Sequence, residues 1–149
     1  MNSTREKKQA FERILTIMDQ LREQCPWDKK QTNESLRPLT IEETYELAEA
    51  VMDDDSEEIK KELGDLFLHI IFYAKIGSEK QQFDIADVIN ALAEKLIRRH
   101  PHVYGGNKNQ SEDDIKAGWE EIKLKEKGGN RTILGGIPSG LPSLVKAIR

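Results

Sequence analysis

The spacing of proline constrains the fold of this chain more than any other feature of its sequence. The five prolines are Pro26, Pro38, Pro101, Pro138 and Pro142. Proline breaks helices, so the stretches 39–100 and 102–137 are each free to form long helices. No window shows sustained alternation of Val, Ile or Thr with polar residues, and only 6% of the residues are aromatic, which argues against a β-sandwich or barrel. We therefore expect an all-α fold, an antiparallel helical bundle.

Length, charge and cysteine content exclude several classes of protein. A chain of 149 residues fits one domain, and we expect a single domain over residues 1–149. The net charge is −4 with basic residues scattered among acidic ones, so we expect no nucleic-acid partner. The polar amino terminus and the short apolar run 66–76 predict neither a signal peptide nor a membrane span. The single cysteine permits no intrachain disulfide, which suits the cytoplasm.

Apolar residues recurring at helical spacing predict five amphipathic helices, at about 5–24, 40–52, 57–76, 85–100 and 112–127. Thr40 and Glu43 match a capping box at the start of the second helix, and residues 25–38 before it are expected to form a loop. Asp53–Ser56 should turn the chain between the second and third helices. Residues 100–110 should form a loop, and 128–149 a tail rich in Gly and Pro.

Caps and apolar stripes indicate the ends and the buried faces of these helices. Asp84 and Ser111 should cap the fourth and fifth helices. The second half of the third helix is apolar nearly all round and should lie inside the molecule. The fourth helix should bury a stripe made of Ile85, Val88, Ile89, Leu92, Ala93 and Leu96.

Acidic residues at helical spacing indicate a candidate metal site. The second helix carries Glu42, Glu43 and Glu46, and the third carries Glu62 and Asp65. Glu46 and Glu62 are equidistant from residue 54, as are Glu43 and Asp65, so an antiparallel hairpin brings both pairs level. Four such carboxylates cannot all stay ionised unless a cation lies between them or their pKa values rise. Oxygen ligands without Cys or His favour Mg²⁺, or Mn²⁺, over zinc.

Each acidic motif alone also has an ordinary structural explanation. Glu43 can complete a capping box with Thr40, and Glu62 can pair with neighbouring lysines on a solvated face. Two observations favour the metal site. Asp65 leads directly into the apolar segment 66–74, where an unpaired carboxylate is costly, and the symmetry about residue 54 serves no purpose in solubility. His69, one turn beyond Asp65, is expected to be a hydrogen-bonded residue, either beside the metal ligands or in the core, rather than a ligand itself.

A site that binds phosphates also needs positive charge. Lys95 and Arg99 stand one turn apart on the fourth helix, and Lys123 lies one turn beyond Trp119 on the fifth. Basic residues near a helix C-terminus are also favoured by the helix dipole, so this pattern alone is weak. Trp27 and Trp119 can each stack on a base or pack in the core, and packing is favoured for Trp119.

Four segments, CPWDKKQT, EETYELAEAV, ELGDLFLHIIFYA and KLIRRHPHVYG, closely resemble the MazG family, and the resemblance covers roughly residues 10–145. It implies an all-α nucleoside triphosphate pyrophosphohydrolase, usually dimeric, which releases nucleoside monophosphate and pyrophosphate with Mg²⁺. By position, the resemblance also assigns roles. The metal ligands are Glu43, Glu46, Glu62 and Asp65, the phosphate-binding pair is Lys95 and Arg99, and the residues that approach the nucleotide are Trp119 and Lys123.

Three hypotheses follow from the residues and the resemblance together. The first is the enzyme, with Glu42 or Glu46 as general base. The second is a non-catalytic nucleotide-binding or dimerisation module, because bacterial MazG proteins commonly carry two tandem copies, CPWD and RRHPHV resemble the first, and the chain ends where a connection to the second would begin. The third narrows the substrate to a deoxyuridine or deoxycytidine nucleotide or to phosphoribosyl-ATP. The segment KLIRRHPHVYG favours MazG proper over that third group.

Overall fold

A computed structural model describes residues 1–105, 111, 113–115, 118, 119 and 122. Its helices are α1 Thr4–Gln24, α2 Asn33–Met52, α3 Ser56–Glu79, α4 Ile85–Arg99 and the single turn α5 Pro101–Tyr104, with a 3₁₀ turn at Asp28–Lys30. The described residues contain no strand, and the predicted all-α fold is confirmed. None of the described helices combines the length and apolar composition needed to cross a membrane.

The chain divides into two compact units, Met1–Asn90 and Ala91–Arg149. The first contains α1, the 3₁₀ turn, α2, α3 and the start of α4, and it holds the hydrophobic core. The fully buried core residues are Met18, Leu36, Ile71, Phe72 and Ile76. Whether the chain forms the single domain expected from its length stays a prediction.

The start of α2 differs from the prediction. Thr32, and not Thr40, is the N-cap: its hydroxyl accepts from the Ser35 amide at 3.2 Å, and the Ser35 hydroxyl accepts from the Thr32 amide at 2.9 Å. Pro38 therefore lies inside the helix, where it removes one backbone hydrogen bond from the second turn. The capping box between Thr40 and Glu43 was wrong, and with it one ordinary explanation of Glu43.

The turn between α2 and α3 forms where the sequence predicts it. Asp54 adopts a left-handed conformation with φ 53°, and the Asp55 amide donates back to the Ala50 carbonyl at 3.1 Å. This pattern closes the carboxyl end of α2. The Asp55 carboxylate then accepts from the amides of Glu57 and Glu58 at 3.0 and 3.1 Å and caps α3. The two helices are consequently antiparallel and packed along their length.

The half-buried Arg22 attaches the 3₁₀ turn to the carboxyl-terminal end of α3. The Arg22 guanidinium donates to the Glu79 carboxylate, to the Asp28 carbonyl and, at 3.2 Å, to the Gln31 carbonyl. It also lies over the Phe72 ring, 5.4 Å from the ring centroid. The 25–31 segment is therefore ordered around one cation rather than being an irregular loop.

Apolar faces are less completely covered than the sequence predicts. The second half of α3 buries His69, Ile71, Phe72, Ala74, Ile76 and Gly77, but Phe67 and Ile70 remain exposed. The stripe predicted to be buried on α4 was wrong: no residue of α4 is buried, and Ile89, Leu92 and Leu96 are exposed. Helical periodicity identifies the apolar face of a helix but not what covers it.

The region after α4 is described only in part. Asp84 caps α4 as predicted, accepting from the amides of Ala86 and Asp87 at 2.8 and 3.1 Å. The predicted loop contains the helical turn α5, which Pro101 opens because its fixed φ suits the first helical position. Ser111 accepts from the Asp114 amide at 3.2 Å, as a cap should, and the described residues 113–115, 118, 119 and 122 are helical. Lys123 and the predicted tail 128–149 lie outside the described residues.

Candidate active site

Three of the predicted carboxylates meet between α2 and α3. Glu43, Glu62 and Asp65 each offer a carboxylate oxygen, and these oxygens all lie within 4.8 Å of one another. We call these three residues the carboxylate cluster. The α2–α3 turn creates it, because Glu43 precedes the turn by about as many residues as Glu62 and Asp65 follow it. Like charges at such distances repel unless protons or a cation compensate them.

Glu62 is the most deeply placed member of the cluster. Its side chain is only 3% exposed. One carboxylate oxygen, Oε1, accepts from the Lys61 ammonium at 2.8 Å, whereas the other, Oε2, is buried and has no hydrogen-bond partner among the described residues. An unsatisfied buried oxygen on an acid is costly, and native proteins generally provide a partner for it. The expected pairing with a neighbouring lysine therefore exists, but on a buried carboxylate rather than a solvated one.

The electrostatics of the cluster follow from this crowding. Burial raises the pKa of Glu43 above its ordinary value, and the charges of Asp65, Glu46 and Glu62 raise it further. Glu46 is exposed and lies outside the group of three, yet desolvation and the Glu62 charge also raise the pKa of Glu46. Glu42 is exposed, and its charge adds to the same effect on Glu46. The site thus binds protons more readily than isolated glutamates do.

The donor set fits a divalent cation. The cluster supplies carboxylate oxygens only, which are the ligands that Mg²⁺ and Mn²⁺ prefer. Acidic groups on a surface commonly gather without an ion, but here Glu62 is buried and its Oε2 atom lacks a partner. A cation beside Oε2 would satisfy that atom and remove the repulsion that raises the pKa of Glu43. Glu43, Glu62 and Asp65 are therefore the residues able to hold the ion.

About one helical turn farther from the α2–α3 connection, the polar side chains of the two helices form hydrogen bonds with one another. The Thr40 hydroxyl lies 3.0 Å from the Leu36 carbonyl, 2.7 Å from His69 Nδ1 and 2.8 Å from the Tyr73 hydroxyl. The hydroxyl has one proton, which goes to the carbonyl because a carbonyl can only accept. His69 Nδ1 and the Tyr73 hydroxyl must then both donate to Thr40.

This arrangement assigns the protonation of His69. Its Nδ1 atom carries a hydrogen, and burial lowers the pKa of His69 while the Asp65 charge opposes that shift. The buried imidazole is consequently favoured in its neutral form, with the proton on Nδ1. The prediction that His69 is a hydrogen-bonded residue is confirmed, and the structure places it in the core, outside the group of potential metal ligands.

Of the predicted substrate-binding residues, Trp27 belongs to the same compact unit as the carboxylate cluster. Trp27 is 56% exposed and precedes the 3₁₀ turn, which Arg22 attaches to Glu79. Glu79 is seventeen residues beyond Glu62 on α3, a distance of about 25 Å along the helix. The structure therefore places Trp27 toward the other end of α3 from the carboxylate cluster of the same chain.

The other predicted binding residues belong to the second unit, Ala91–Arg149. Lys95 and Arg99 are half-buried and lie one turn apart on α4. Trp119 is half-buried, contacts the His100 ring edge-on at a centroid distance of 5.0 Å, and has a buried indole N–H that finds no partner within the described part of the chain. Their role in binding a nucleotide stays a prediction, and Lys123 lies outside the described residues.

Lys61 was not singled out from the sequence. Pairing of Glu62 with a neighbouring lysine was expected without choosing between Lys60 and Lys61, and the pairs Glu57–Lys60 and Glu58–Lys61 show the same spacing. Only the structure distinguishes them, because Lys61 alone also contacts Glu62.

Comparison with known proteins connects this site to a family. Residues 31–104 match the model of the MazG nucleotide pyrophosphohydrolase domain. A nucleoside triphosphate pyrophosphohydrolase/pyrophosphatase MazG of Thermotoga maritima is 46% identical over 142 residues, which are 93% of this chain and 54% of the relative. The nucleoside triphosphate pyrophosphohydrolase of Escherichia coli K12 is 40% identical over 92% of this chain and 54% of its own.

Two further proteins extend the comparison. The protein YabN of Bacillus subtilis, which is uncharacterized, is 42% identical over 97% of this chain and 31% of its own length. This chain thus spans about half or less of the curated relatives that it matches. The crystal structure of a mazG-related protein from Thermotoga maritima superposes with a TM-score of 0.67 at 29% identity, covering 76% of this chain and 99% of that one. The match of residues 31–104, which contain the carboxylate cluster, and these relatives show that the chain belongs to the MazG nucleotide pyrophosphohydrolase family.

Proposed function

We propose that this chain hydrolyses nucleoside triphosphates to nucleoside monophosphate and pyrophosphate, using a divalent cation, Mg²⁺ or Mn²⁺. The observation that carries the proposal is the buried Oε2 atom of Glu62, which lacks a partner inside a cluster of carboxylates. The names of the relatives from Thermotoga maritima and Escherichia coli support the reaction. Since those relatives are longer than this chain, the activity is proposed for the region that they share with it.

Each carboxylate has a proposed task. Glu43, Glu62 and Asp65 bind the cation, and Glu46 completes the set from its exposed position beside Glu62. When bound, Mg²⁺ supplies a Lewis acid for phosphate oxygens and lowers the pKa of a coordinated water. Glu46 is a candidate general base, because its exposed carboxylate can also meet a water at the bound ion. Glu42, exposed on the adjacent turn, is the alternative base.

The substrate contacts are proposed from the chemistry of the side chains and from their positions in the motifs that resemble the MazG family. Lys95 and Arg99 bind phosphate oxygens, and Trp119 with Lys123 approaches the nucleotide. Trp27 has an exposed aromatic face, but it lies toward the other end of α3 from the carboxylate cluster of the same chain, so its stacking on a base stays a prediction. Aromatic faces accept any base, so these residues do not define a base preference.

Exposed apolar side chains support a homodimer. They form one group on α2, comprising Ile41, Tyr45 and Met52, and a second group on α3, comprising Leu63, Phe67 and Ile70. Apolar groups of this kind commonly mark interfaces between subunits. Light scattering at micromolar concentration should therefore show a species of twice the 17.1 kDa chain mass, and a monomer alone would contradict the proposal.

The decisive experiment measures pyrophosphate release from all common ribo- and deoxyribonucleoside triphosphates, with Mg²⁺ and with EDTA. We expect release that requires the cation and is lost in Glu62→Gln. Glu57→Gln is the matched control, because Glu57 is an exposed glutamate of the same helix paired only with Lys60 among the described contacts. Nucleotide binding without any release would replace the proposal by the non-catalytic module.

A further inference from the structure

Lys60 and Lys61, adjacent on α3, form equivalent ion pairs on the surface, but only one of them also contacts a buried carboxylate. Lys60 pairs with Glu57 and Lys61 pairs with Glu58, each three residues earlier and each on the surface. Lys61 alone also contacts the buried Glu62, 2.8 Å from Oε1. Among the described residues, Lys61 provides the one recorded hydrogen bond to that carboxylate. The ammonium therefore binds one side of Glu62, while the unpartnered Oε2 atom is left inside.

We propose that Lys61 is the resident counter-ion of Glu62, whose ammonium stabilises this carboxylate in the metal-free protein and is displaced when a divalent cation binds. This inference rests on the proposed metal site, and it is independent of the identity of the substrate. It assigns Lys61 as a positioning residue, since the lysine acts through Glu62 rather than on the substrate.

The geometry of Lys61 suits such an exchange. Its side chain is 60% exposed, so the ammonium can regain water when it leaves Glu62. Glu58 lies 3.2 Å away and supplies a second carboxylate that keeps the ammonium nearby. By contrast, Glu62 is held inside the protein and cannot reach solvent to replace a lost partner. The mobile partner is therefore the lysine.

A divalent cation and the Lys61 ammonium should oppose each other. Both are attracted to the same carboxylate, and their charges repel if they share it. One unit charge about 6 Å from a divalent ion, in water at moderate salt, changes the affinity for that ion by about three- to tenfold. Removal of the ammonium should therefore tighten metal binding by this factor, although it removes a contact of a metal ligand.

The test compares Lys61→Met with the matched control Lys60→Met. Binding of Mn²⁺ alone is measured by calorimetry at neutral pH, and melting curves are recorded in EDTA and in saturating Mg²⁺. Lys61→Met should bind Mn²⁺ about three- to tenfold more tightly than wild type. Its melting temperature should be lower than that of wild type in EDTA, and the difference should shrink in Mg²⁺ because the cation replaces the missing ammonium. Lys60→Met should match wild type in both measurements.

The possible results separate this inference from the proposed function. If wild type binds Mn²⁺ and Lys61→Met binds it equally or more weakly, the counter-ion role is wrong and the metal site stands. If wild type binds no Mn²⁺, the metal site itself is wrong, and both proposals are overturned. An equal loss of melting temperature in EDTA and in Mg²⁺ would also overturn the counter-ion role, since it would mean that Lys61 and the cation do not compete.

Discussion

Two neighbouring stretches of the α2–α3 interface bury polar groups with opposite results. Around Thr40, the hydroxyl, the His69 imidazole and the Tyr73 hydroxyl satisfy one another. One turn away, Glu43, Glu62 and Asp65 crowd together, and one Glu62 oxygen has no partner. Satisfied buried polarity stabilises a fold, whereas unsatisfied charge costs stability until a ligand arrives. The difference supports a structural role for the first stretch and the proposed cation-binding role for the second.

The largest expected effect on activity comes from a change in the carboxylate cluster. Glu62→Gln should reduce pyrophosphate release by more than about a hundredfold, since it removes a metal ligand. Its metal-free stability should equal or exceed that of wild type, because repulsion within the carboxylate cluster is relieved. The pyrophosphate-release assay measures the first effect, and melting curves with increasing Mg²⁺ measure metal-free stability and metal binding: the midpoint should rise in wild type and rise less in the variant. The same Mg²⁺-dependent rise in both proteins would show that Glu62 is not a ligand.

The next largest effect is expected from a change in the hydrogen-bonded group around Thr40. Thr40→Val keeps the shape of the side chain but leaves His69 Nδ1 and the Tyr73 hydroxyl without their acceptor. We expect a loss of about 2–3 kcal/mol in the free energy of unfolding, measured by urea denaturation. Mn²⁺ affinity of the folded variant should stay close to that of wild type. A stability within experimental error of wild type would mean that the polar group at Thr40 is not structural.

A milder change to the same group should have a smaller effect. Tyr73→Phe removes one donor to Thr40 and leaves the bonds to Leu36 and His69 in place. The free energy of unfolding should fall by about 1 kcal/mol, less than in Thr40→Val, because no buried donor loses its acceptor. Urea denaturation of the two variants side by side measures this order, and the reverse order would contradict the proton assignment at Thr40.

The smallest expected effect is on the pH dependence of stability, which should have opposite signs at Glu43 and at His69. The pKa of Glu43 is raised by burial and by neighbouring acids, so its contribution to metal-free stability is present below its ordinary value of 4.5 and is lost as the pH rises through the raised pKa. The pKa of His69 is lowered by burial, so the unfolded chain protonates first and stability is lost as the pH falls below 6.5.

These signs can be separated by variants in EDTA. Relative to wild type, Glu43→Gln should gain stability as the pH rises, and His69→Gln should gain stability as the pH falls below the ordinary histidine pKa. The measurement is the free energy of unfolding in urea as a function of pH. Curves that run parallel to wild type would show that neither group titrates differently in the folded protein.

The parts of the fold that depend on local sequence were predicted well. The turn near Asp54 and the caps at Asp84 and Ser111 form where the sequence indicates them, since each depends on short-range hydrogen bonds. The start of α2 was misplaced because Pro38 was given the weight of a helix breaker and Thr40 resembled a cap. The true signal was Thr32 with Ser35, a capping box in which serine replaces the usual acid.

The sequence predicted those features of the candidate site that follow from helix geometry alone. Equal spacing about residue 54 was enough to suggest that Glu43, Glu62 and Asp65 meet. It could not show that Lys61 rather than Lys60 contacts Glu62, because that depends on side-chain conformations that sequence spacing does not specify. It also could not show which apolar faces are covered, so the exposed stripe of α4 was missed.

The short connection between α2 and α3 has a consequence for how the site forms during folding. Glu43 and Glu62 are nineteen positions apart, and only Asp53, Asp54 and Asp55 separate the two helices. Closing so short a loop costs little chain entropy, and contacts between near neighbours in sequence tend to form early. The carboxylates should thus be near one another before the rest of the core is complete. Divalent cations would then act mainly on the folding rate, with a lesser effect on the unfolding rate.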